Sequence, residues 1–390
     1  MAGVNRISDK LKVVSSSSRR KRKRSPFFLP EEILFSILLK LPVEVLCNVM
    51  RYVCREWYNV INDPCFIDAH LQKSTNCLLI QSYRFPNFFH FVEIHDSDIQ
   101  TRMVRYEFPM SAYSSCDGLI LFRCNEEGIF YVANPTTMQL VKLPPLSSKW
   151  CFIRAPLLTY FRSTGRCKVV LILRDENNHN VCLILTVGAD SAWRQIDTKH
   201  FPDFASHSFS CKSFSTGGYI YLTCDYASHL FALDAEAEIF HRFPKPDCTI
   251  GGKYMVWKSF LGLVAHHAAF VWELWALTDL NTGKWTKLLY IDLRGKRCKI
   301  EQKFDVPYGE SSVQGYLSRK NLSLDRCLVP IASLKNGEVL IFRGTLPFKT
   351  YIVFNLKTRK VSSFVICRGE EHASNFYVCH INNLVLLNAS

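Results

Sequence analysis

The chain has 390 residues, is 48% hydrophobic and 21% charged, contains sixteen cysteines and carries a net charge of +14. This is the composition of a globular protein with room for two or three domains, which excludes collagen-like and wholly disordered classes. No run reaches eighteen unbroken apolar residues, so no membrane span is expected, and the opening MAGVNRISDKLKVV lacks the apolar core of a secretory signal. Without such a signal the cysteines are expected as free thiols in a reducing compartment. No C-x-x-C pair occurs, which argues against a zinc ribbon.

Residues 1–26 read as a disordered basic tail. Through Arg24 the chain has nine Lys or Arg and one Asp, a balance of +8, which leaves +6 over the other 366 residues. The basic total therefore does not by itself indicate a nucleic-acid-binding fold. Arg19, Arg20, Lys21, Arg22, Lys23 and Arg24 repel one another and do not fold alone. Such a cluster fits the acidic groove of a nuclear import receptor, or phosphate backbones, and the protein is expected in the nucleus, alone or together with the cytoplasm. A solvated tail with no partner is the alternative.

Residues 27–74 read as a helical domain built around Phe27–Phe66, with three short helices. Pro30 suits a first helical position, Glu31 and Glu32 favour the positive end of a helix dipole, and Ile33, Leu34, Ile37, Leu38 and Leu41 fall at helical spacing. Pro42 stops that helix or kinks it. A second is expected from Pro42 with Val43, Leu46, Val49, Met50 and Val53 inward, and a third through Cys54, Trp57, Val60 and Ile61, ending at Asp63–Pro64. Residues 66–73 add one more helical segment that links this domain to residues 75–390. Three helices this short cannot cover so much apolar surface among themselves. Either the rest of the chain covers it or a partner does.

The sequence Leu29-Pro30-Glu31-Glu32-Ile33, then Ile37-Leu38, Lys40-Leu41-Pro42-Val43, Arg51-Tyr52-Val53-Cys54-Arg55-Glu56-Trp57 and Asp63-Pro64-Cys65-Phe66 resembles an F-box over its whole length. The resemblance implies binding to the Skp-type adaptor of a cullin–RING ubiquitin ligase. The implied contact residues are Leu29, Pro30, Ile33, Ile37, Leu38, Leu41, Pro42, Val43, Leu46, Val53, Cys54 and Trp57, some of which must instead hold the helices together. Glu44 stands where a basic residue is common, and Cys47-Asn48-Val49-Met50 replaces a basic-aromatic run.

Residues 75–390 change texture. Short runs rich in Val, Ile, Leu, Phe and Tyr, such as 77–83, 118–123, 168–174, 181–187, 219–224, 338–343 and 382–387, alternate with Gly, Pro, Asn and Asp, the pattern of many antiparallel strands. A weak repeat recurs near Gly118, Gly217-Gly218, Leu274 and Gly337: a strand, a second strand ending in Asn134, Asp234, Asp279 or Asn355, a polar turn and a third strand. Units of this length predict propeller blades, six to eight of them, with chain length suggesting about seven. Stacked blades cover both faces of their strands, which explains the continuously apolar Val169–Leu173 and Val181–Val187 and places the tryptophans between blades. Ring closure is expected to pair Cys77–Tyr83 with strands near Leu384–Leu387. Ser115-Cys116-Asp117-Gly118-Leu119, Asn134-Pro135-Thr136-Thr137 and Trp285-Thr286-Lys287-Leu288 resemble the F-box-associated, Kelch-like propellers of plant F-box proteins.

There is no G-x-S-x-G elbow, P-loop or dinucleotide fingerprint, and the adjacent His266 and His267 point to opposite strand faces, a poor start for a metal site. The expected architecture is thus a small all-α F-box domain followed by an all-β propeller. The expected role is a non-catalytic substrate receptor of an SCF-type ligase, without cofactor or metal. It would bind the adaptor, and through it cullin, at one end and a protein substrate at propeller loops. Tyr83, Phe85, Phe88, Phe89 and Phe91 are candidates either for substrate contact or for core packing. The competing function is a nuclear nucleic-acid-associated or scaffolding protein acting through the tail and the propeller.

Overall fold

The computed structural model describes residues 29–74, 76–82, 86–95, 98–105, 110–147, 152–201, 204, 206, 209, 213–223, 229–246, 252–304, 312–345, 350–366, 375–385 and 387. The basic run Arg19–Arg24, Phe27, Phe28, Tyr83 and Phe85 lie outside the described residues.

Four helices open the chain: α1 (Glu31–Leu38), α2 (Val43–Asn48), α3 (Arg55–Ile61) and α4 (Pro64–Lys73). Pro30 and Pro42 sit one position before their helices, and their carbonyls accept the first backbone N–H groups, from Ile33 and Leu34 and from Val45 and Leu46. The second helix is shorter than expected. After Asn48 the backbone leaves the α region at Val49 (φ −128°), and a 3₁₀ turn, Met50–Tyr52, rotates the chain so that Val49 and Val53 point outward instead of inward. Asp63–Pro64 does not merely end α3. Asp63 caps α4 by accepting from Cys65 N at 2.8 Å, and Pro64 takes the first helical position, where no N–H is needed. Leu34, Leu38, Val43, Leu46, Cys47, Val60, Ile61 and Phe66 form the core of this unit, with Phe35 edge-on to Phe66 at 5.0 Å.

Six four-stranded antiparallel sheets come next. Their inner strands are Asn375–Ile381, Met110–Cys116, Phe152–Phe161, Phe214–Thr216, Gly252–Trp257 and Leu328–Leu334, and each touches the next around a closed ring. The molecule is a six-bladed propeller. Six lies within the expected range but below the seven suggested by length, because the described residues between the fifth and sixth blades, 293–304 and 312–327, include two short helices, α5 (Arg297–Glu301) and α6 (Val313–Arg319), and no strand. The repeat seen in the sequence corresponds to the second, third and fourth strands of a blade. The inner strands have no counterpart in it.

Ring closure uses the first strand after the helices, but its partner is Asn375–Ile381, with Asn76 opposite Ile381 and Ser82 opposite Asn375. The expected strand at 384–387 is corrected: Leu384, Val385 and Leu387 lie outside every sheet and serve the cores instead. Each gap between blades has its own core. In the third blade Val169, Leu171 and Leu173 face the second blade while Val170 and Ile172 face the fourth, so the uninterrupted apolar run is covered on both sides. Phe89 and Phe91 are likewise core residues between the first and second blades, not substrate contacts. Trp272 is buried between the fifth and sixth blades, and Trp193 and Trp285 each donate from Nε1 at 2.8 Å to the carbonyl of a proline in the preceding blade, Pro144 and Pro244.

The turn between third and fourth strands is built alike in four blades. Asn134, Asp234, Asp279 and Asn355 accept, through a side-chain oxygen, the backbone N–H groups two and three residues on. Four residues after each acceptor stands Met138, Glu238, Gly283 or Arg359, always with positive φ. This is the left-handed fourth position of a hairpin loop, and three of the four blades fill it without glycine.

Candidate functional site

The topology gives the ring two unlike faces. Each inner strand starts at the link from the previous blade, and in five blades it ends at a hairpin to the second strand, while in the first blade it ends beside the start of Asn76–Ser82, so the links lie on one face and the hairpins on the other. The helical unit sits on the hairpin side. There Arg162, in the third blade's hairpin, bonds Asp117 Oδ1 of the second at 2.7 Å and reaches Asp68 of α4 at 4.0 Å.

The residues after the closing strand join the two parts. Leu384 enters the helical core, while Val385 and Leu387 enter the core between the second and third blades, where Leu71 of α4 also packs. Asn383 is fully buried. Its Oδ1 accepts from Asn134 Nδ2 at 3.0 Å and from Val385 N at 3.0 Å, and its Nδ2 donates to the Asp117 carbonyl. Asn134 Nδ2 also donates to Val385 O at 2.7 Å. Gly118, at φ +79°, lies so close to Asn383 and the Ile381 carbonyl that no Cβ fits. The Ser115–Leu119 and Asn134–Thr137 motifs are therefore the cradle for the C-terminal segment, a role that sequence pattern alone did not reveal. The signal available was the pair Asn382-Asn383, polar residues leading an apolar run.

On the outer side of the helices the twelve expected contact residues divide. Leu29, Pro30, Ile33, Ile37, Pro42, Val53 and Cys54 are exposed, and Leu41 and Trp57 are half-buried. Leu38, Val43 and Leu46 are corrected: they are sealed in the helices' own core and offer no surface. On α1 the helical period decides this, since Leu34 and Leu38 point inward and Ile33 and Ile37, one position earlier, point out. The structure adds Val49, Tyr52 and Tyr58 to the exposed apolar surface. The kink after Asn48 turns Val49 and Tyr52 outward, and helical periodicity could not foresee it. Leu46 and Trp57 belong to the helical core, not to the ring's interior, so an apolar strip remains open to solvent.

The opposite face carries the links between blades, including 293–327. Along the axis runs a cavity of about 610 Å³ lined by Tyr113, Ser115, Tyr160, Ser215, Tyr254 and Tyr377. Cys116 and Cys379 also reach it, but burial pushes their thiols up to about 12 and about 11, so neither is a thiolate nucleophile at neutral pH. Among the described residues no group of three His, Cys, Asp or Glu is placed to hold a metal. His266 and His267 do point apart, to Asp325 at 2.6 Å and Glu273 at 3.0 Å.

Comparison with known proteins matches this division. An F-box-like family model covers residues 27–70, and a model described as an F-box associated beta propeller domain covers residues 70–309. One putative F-box protein of Arabidopsis thaliana is 24% identical over 275 residues, 66% of this chain and 69% of its own. A second from the same plant is 29% identical over 199 residues, 47% of this chain and 49% of its own, so the chain spans about half of that relative. Among solved structures, one from a nidogen/laminin complex aligns with 79% of this chain and 100% of its own at 8% identity and a TM-score of 0.44. The second model alone spans more than half of the sequence: the chain belongs to the F-box associated beta propeller family, with an F-box-like unit in front of its ring.

Proposed function

We propose that the protein is the substrate-binding subunit of an SCF-type ubiquitin ligase. In this reading the strip Leu29, Ile33, Ile37 and Val53 docks on a Skp-type adaptor and through it on cullin. The ring's link-bearing face holds a protein substrate. The observation that carries the reading is that strip: it is apolar, continuous with a well-packed core and left uncovered by the protein's own propeller. A receptor of this kind performs no bond chemistry. It raises the local concentration of substrate beside an enzyme held elsewhere in the complex. The rigid ring suits that task, since loops on it can vary without disturbing its cores.

Ile33→Asp/Ile37→Asp tests the reading, because both side chains are exposed and their loss leaves the core intact. The adaptor is expected to co-purify with the unaltered protein and to be lost with the double variant at unchanged circular dichroism. Retention would sink the proposal. Nuclear residence is a separate proposal resting on Arg19–Arg24. Replacing all six by alanine in a fluorescent fusion is expected to shift it toward the cytoplasm, and unchanged nuclear accumulation would end it.

A further inference from the structure

The cavity on the ring's axis is shaped by departures from regular strand pairing. In three of the six inner strands one residue has no opposite on the second strand. Ala112 faces Phe122 and Ser114 faces Leu121, with Tyr113 extra between them. Ile153 faces Leu173 and Ala155 faces Ile172, with Arg154 extra. Pro330 faces Phe342 and Ala332 faces Ile341, with Ile331 extra. Each is a β-bulge, which gives up regular pairing and re-aims a side chain. All three extra residues line the cavity.

The charges of the lining keep to the ends. Arg154 and Lys253 stand near the link-side ends of their strands, and Arg162 and Lys258 just past the hairpin-side ends. Arg162 is held by Asp117 at 2.7 Å, and Asp234 caps its own turn by accepting from Glu236 N at 2.9 Å. Between the ends the wall is neutral, with tyrosine, serine and cysteine side chains set among Met255, Val256 and Val378. The hydroxyls of Tyr113 and Tyr160 have no hydrogen-bond partner among the described residues. Burial pushes the Tyr160 hydroxyl's pKa up, so it stays protonated and ready to donate. The two rings pack on the core between the second and third blades, and Tyr377 on the core between the sixth and first. The wall is therefore ordered before anything enters it, and its volume of about 610 Å³ is that of a site for a drug-sized molecule.

We propose that the axial cavity is a small-molecule site, and that it takes a neutral aromatic or fused-ring compound carrying a few hydroxyl or carbonyl oxygens. Tyrosine offers such a ligand ring surface and a polar tip together. A saccharide brings many hydroxyl donors, and the carboxylates that would accept them, Asp117, Asp234 and Glu236, lie only at the hairpin-side end. The inference goes beyond the receptor reading and does not depend on it, since none of these residues belongs to the helical unit.

The test uses the full-length protein and isothermal titration calorimetry at pH 6, where simple phenols are uncharged. The probes are naringenin, 7-hydroxycoumarin and 2-naphthol, with cellobiose as the saccharide and 4-hydroxybenzoate as the anion. Saturable one-to-one binding of at least one of the three phenols is expected, with a Kd of about 100 μM or tighter, and binding of cellobiose and 4-hydroxybenzoate about tenfold weaker or less. Tyr113→Phe/Tyr160→Phe keeps both rings and is expected to weaken binding about tenfold. Ser215→Phe places a ring in the cavity and is expected to abolish it. Tyr58→Phe, on the exposed surface of the helices, is expected to bind like the parent. Absence of saturable binding by all three phenols overturns the proposal and leaves a water-filled channel. Tighter binding of cellobiose overturns it in favour of a saccharide, and tighter binding of 4-hydroxybenzoate in favour of an anion. Binding unchanged in the tyrosine pair, or retained by folded Ser215→Phe, overturns it as well, and the tyrosine pair keeps the test decisive if Ser215→Phe does not fold. The adaptor takes no part in this readout, so the outcome for Ile33→Asp/Ile37→Asp leaves it untouched.

Discussion

The helical unit and the ring solve the same burial problem in opposite ways. In the ring the middle strands of a blade have a neighbouring blade on both faces, so Val169–Leu173 disappears from solvent entirely. The helices have a neighbour on one side only. Seven of the sixteen large apolar side chains exposed among the described residues come from 29–74: Leu29, Ile33, Ile37, Val49, Tyr52, Val53 and Tyr58. A fully buried aliphatic side chain is worth about 1.5–3 kcal/mol, so leaving several uncovered is a large forfeited stabilisation that a docking partner can recover. The ring is thus the finished part of the molecule and the helices the unfinished one. They are held together by a strip of chain, residues 382–385 and Leu387, that belongs to neither sheet nor helix.

That strip is where the two parts come apart most easily. Gly118→Ala places a methyl against Asn383 and the Ile381 carbonyl at a φ of +79°, which an L side chain adopts only at a cost. A loss of about 3 kcal/mol or more is expected from the clash together with disruption of the Asn134–Asn383 hydrogen bonds. With Leu384 drawn from the helical core and Val385 from the ring, thermal unfolding is expected to split into two transitions. Hydrogen exchange should lose protection at 382–385 first. A single transition at an unchanged midpoint would show that the helices and the ring are coupled elsewhere.

Much of this organisation was legible in the sequence because it rests on local chemistry. The helices announced themselves by spacing and by Pro30, Pro42 and Pro64, and the turns by Asn134, Asp234, Asp279 and Asn355, whose side chains bond their own backbone within three residues. What stayed hidden depends on partners far along the chain. Nothing near Asn383 says that it meets Asn134 and Asp117, 249 and 266 residues away. The inner strands escaped for a different reason: Met110–Cys116 (MSAYSSC) and Phe214–Thr216 (FST) line an axial cavity and lack the apolar run that marks a covered strand. The division of the F-box residues came from a one-position offset on α1, which pattern identifies, and from the kink after Asn48, which it does not.

A perturbation confined to the ring draws the two regions further apart. His380 lies in the closing inner strand at 1% exposure, with Nδ1 3.0 Å from Ser115 Oγ and its ring edge-on to Phe91 at 5.6 Å. Burial, with the nearby Arg102, depresses its pKa to about 3. A histidine held neutral in the fold contributes stability that is full above the unfolded value of about 6.5 and is lost as pH falls toward the folded value. At pH 5 the loss is about 2 kcal/mol, at 1.36 kcal/mol for each unit below 6.5. Chemical unfolding of the parent and of His380→Gln at pH 7.5 and 5.0 is expected to show the smaller pH dependence in the variant. Equal pH dependence in the two proteins would mean that His380 is already charged in the fold.

The smallest effect runs the other way and needs no partner at all. Met138 is 85% exposed with φ +57°, at the turn position where Gly283 stands in the fifth blade. Its side chain offers almost nothing to packing, while its Cβ makes the left-handed backbone unfavourable. Met138→Gly relieves that at the expense of extra freedom in the unfolded chain, about 0.5–1 kcal/mol on the usual scale, against about 1–2 kcal/mol regained. A net gain of about 0.5–1 kcal/mol results, visible as a small rise in the unfolding midpoint. The corresponding change at Glu238, also left-handed, is expected to reverse sign: there the side chain is bonded by Lys168 and Arg194 at 3.0 and 2.9 Å and tied to the neighbouring blade. Stabilisation by both substitutions would mean that those ion pairs contribute nothing, and destabilisation by both would mean that Met138 packs in solution in a way its exposure denies.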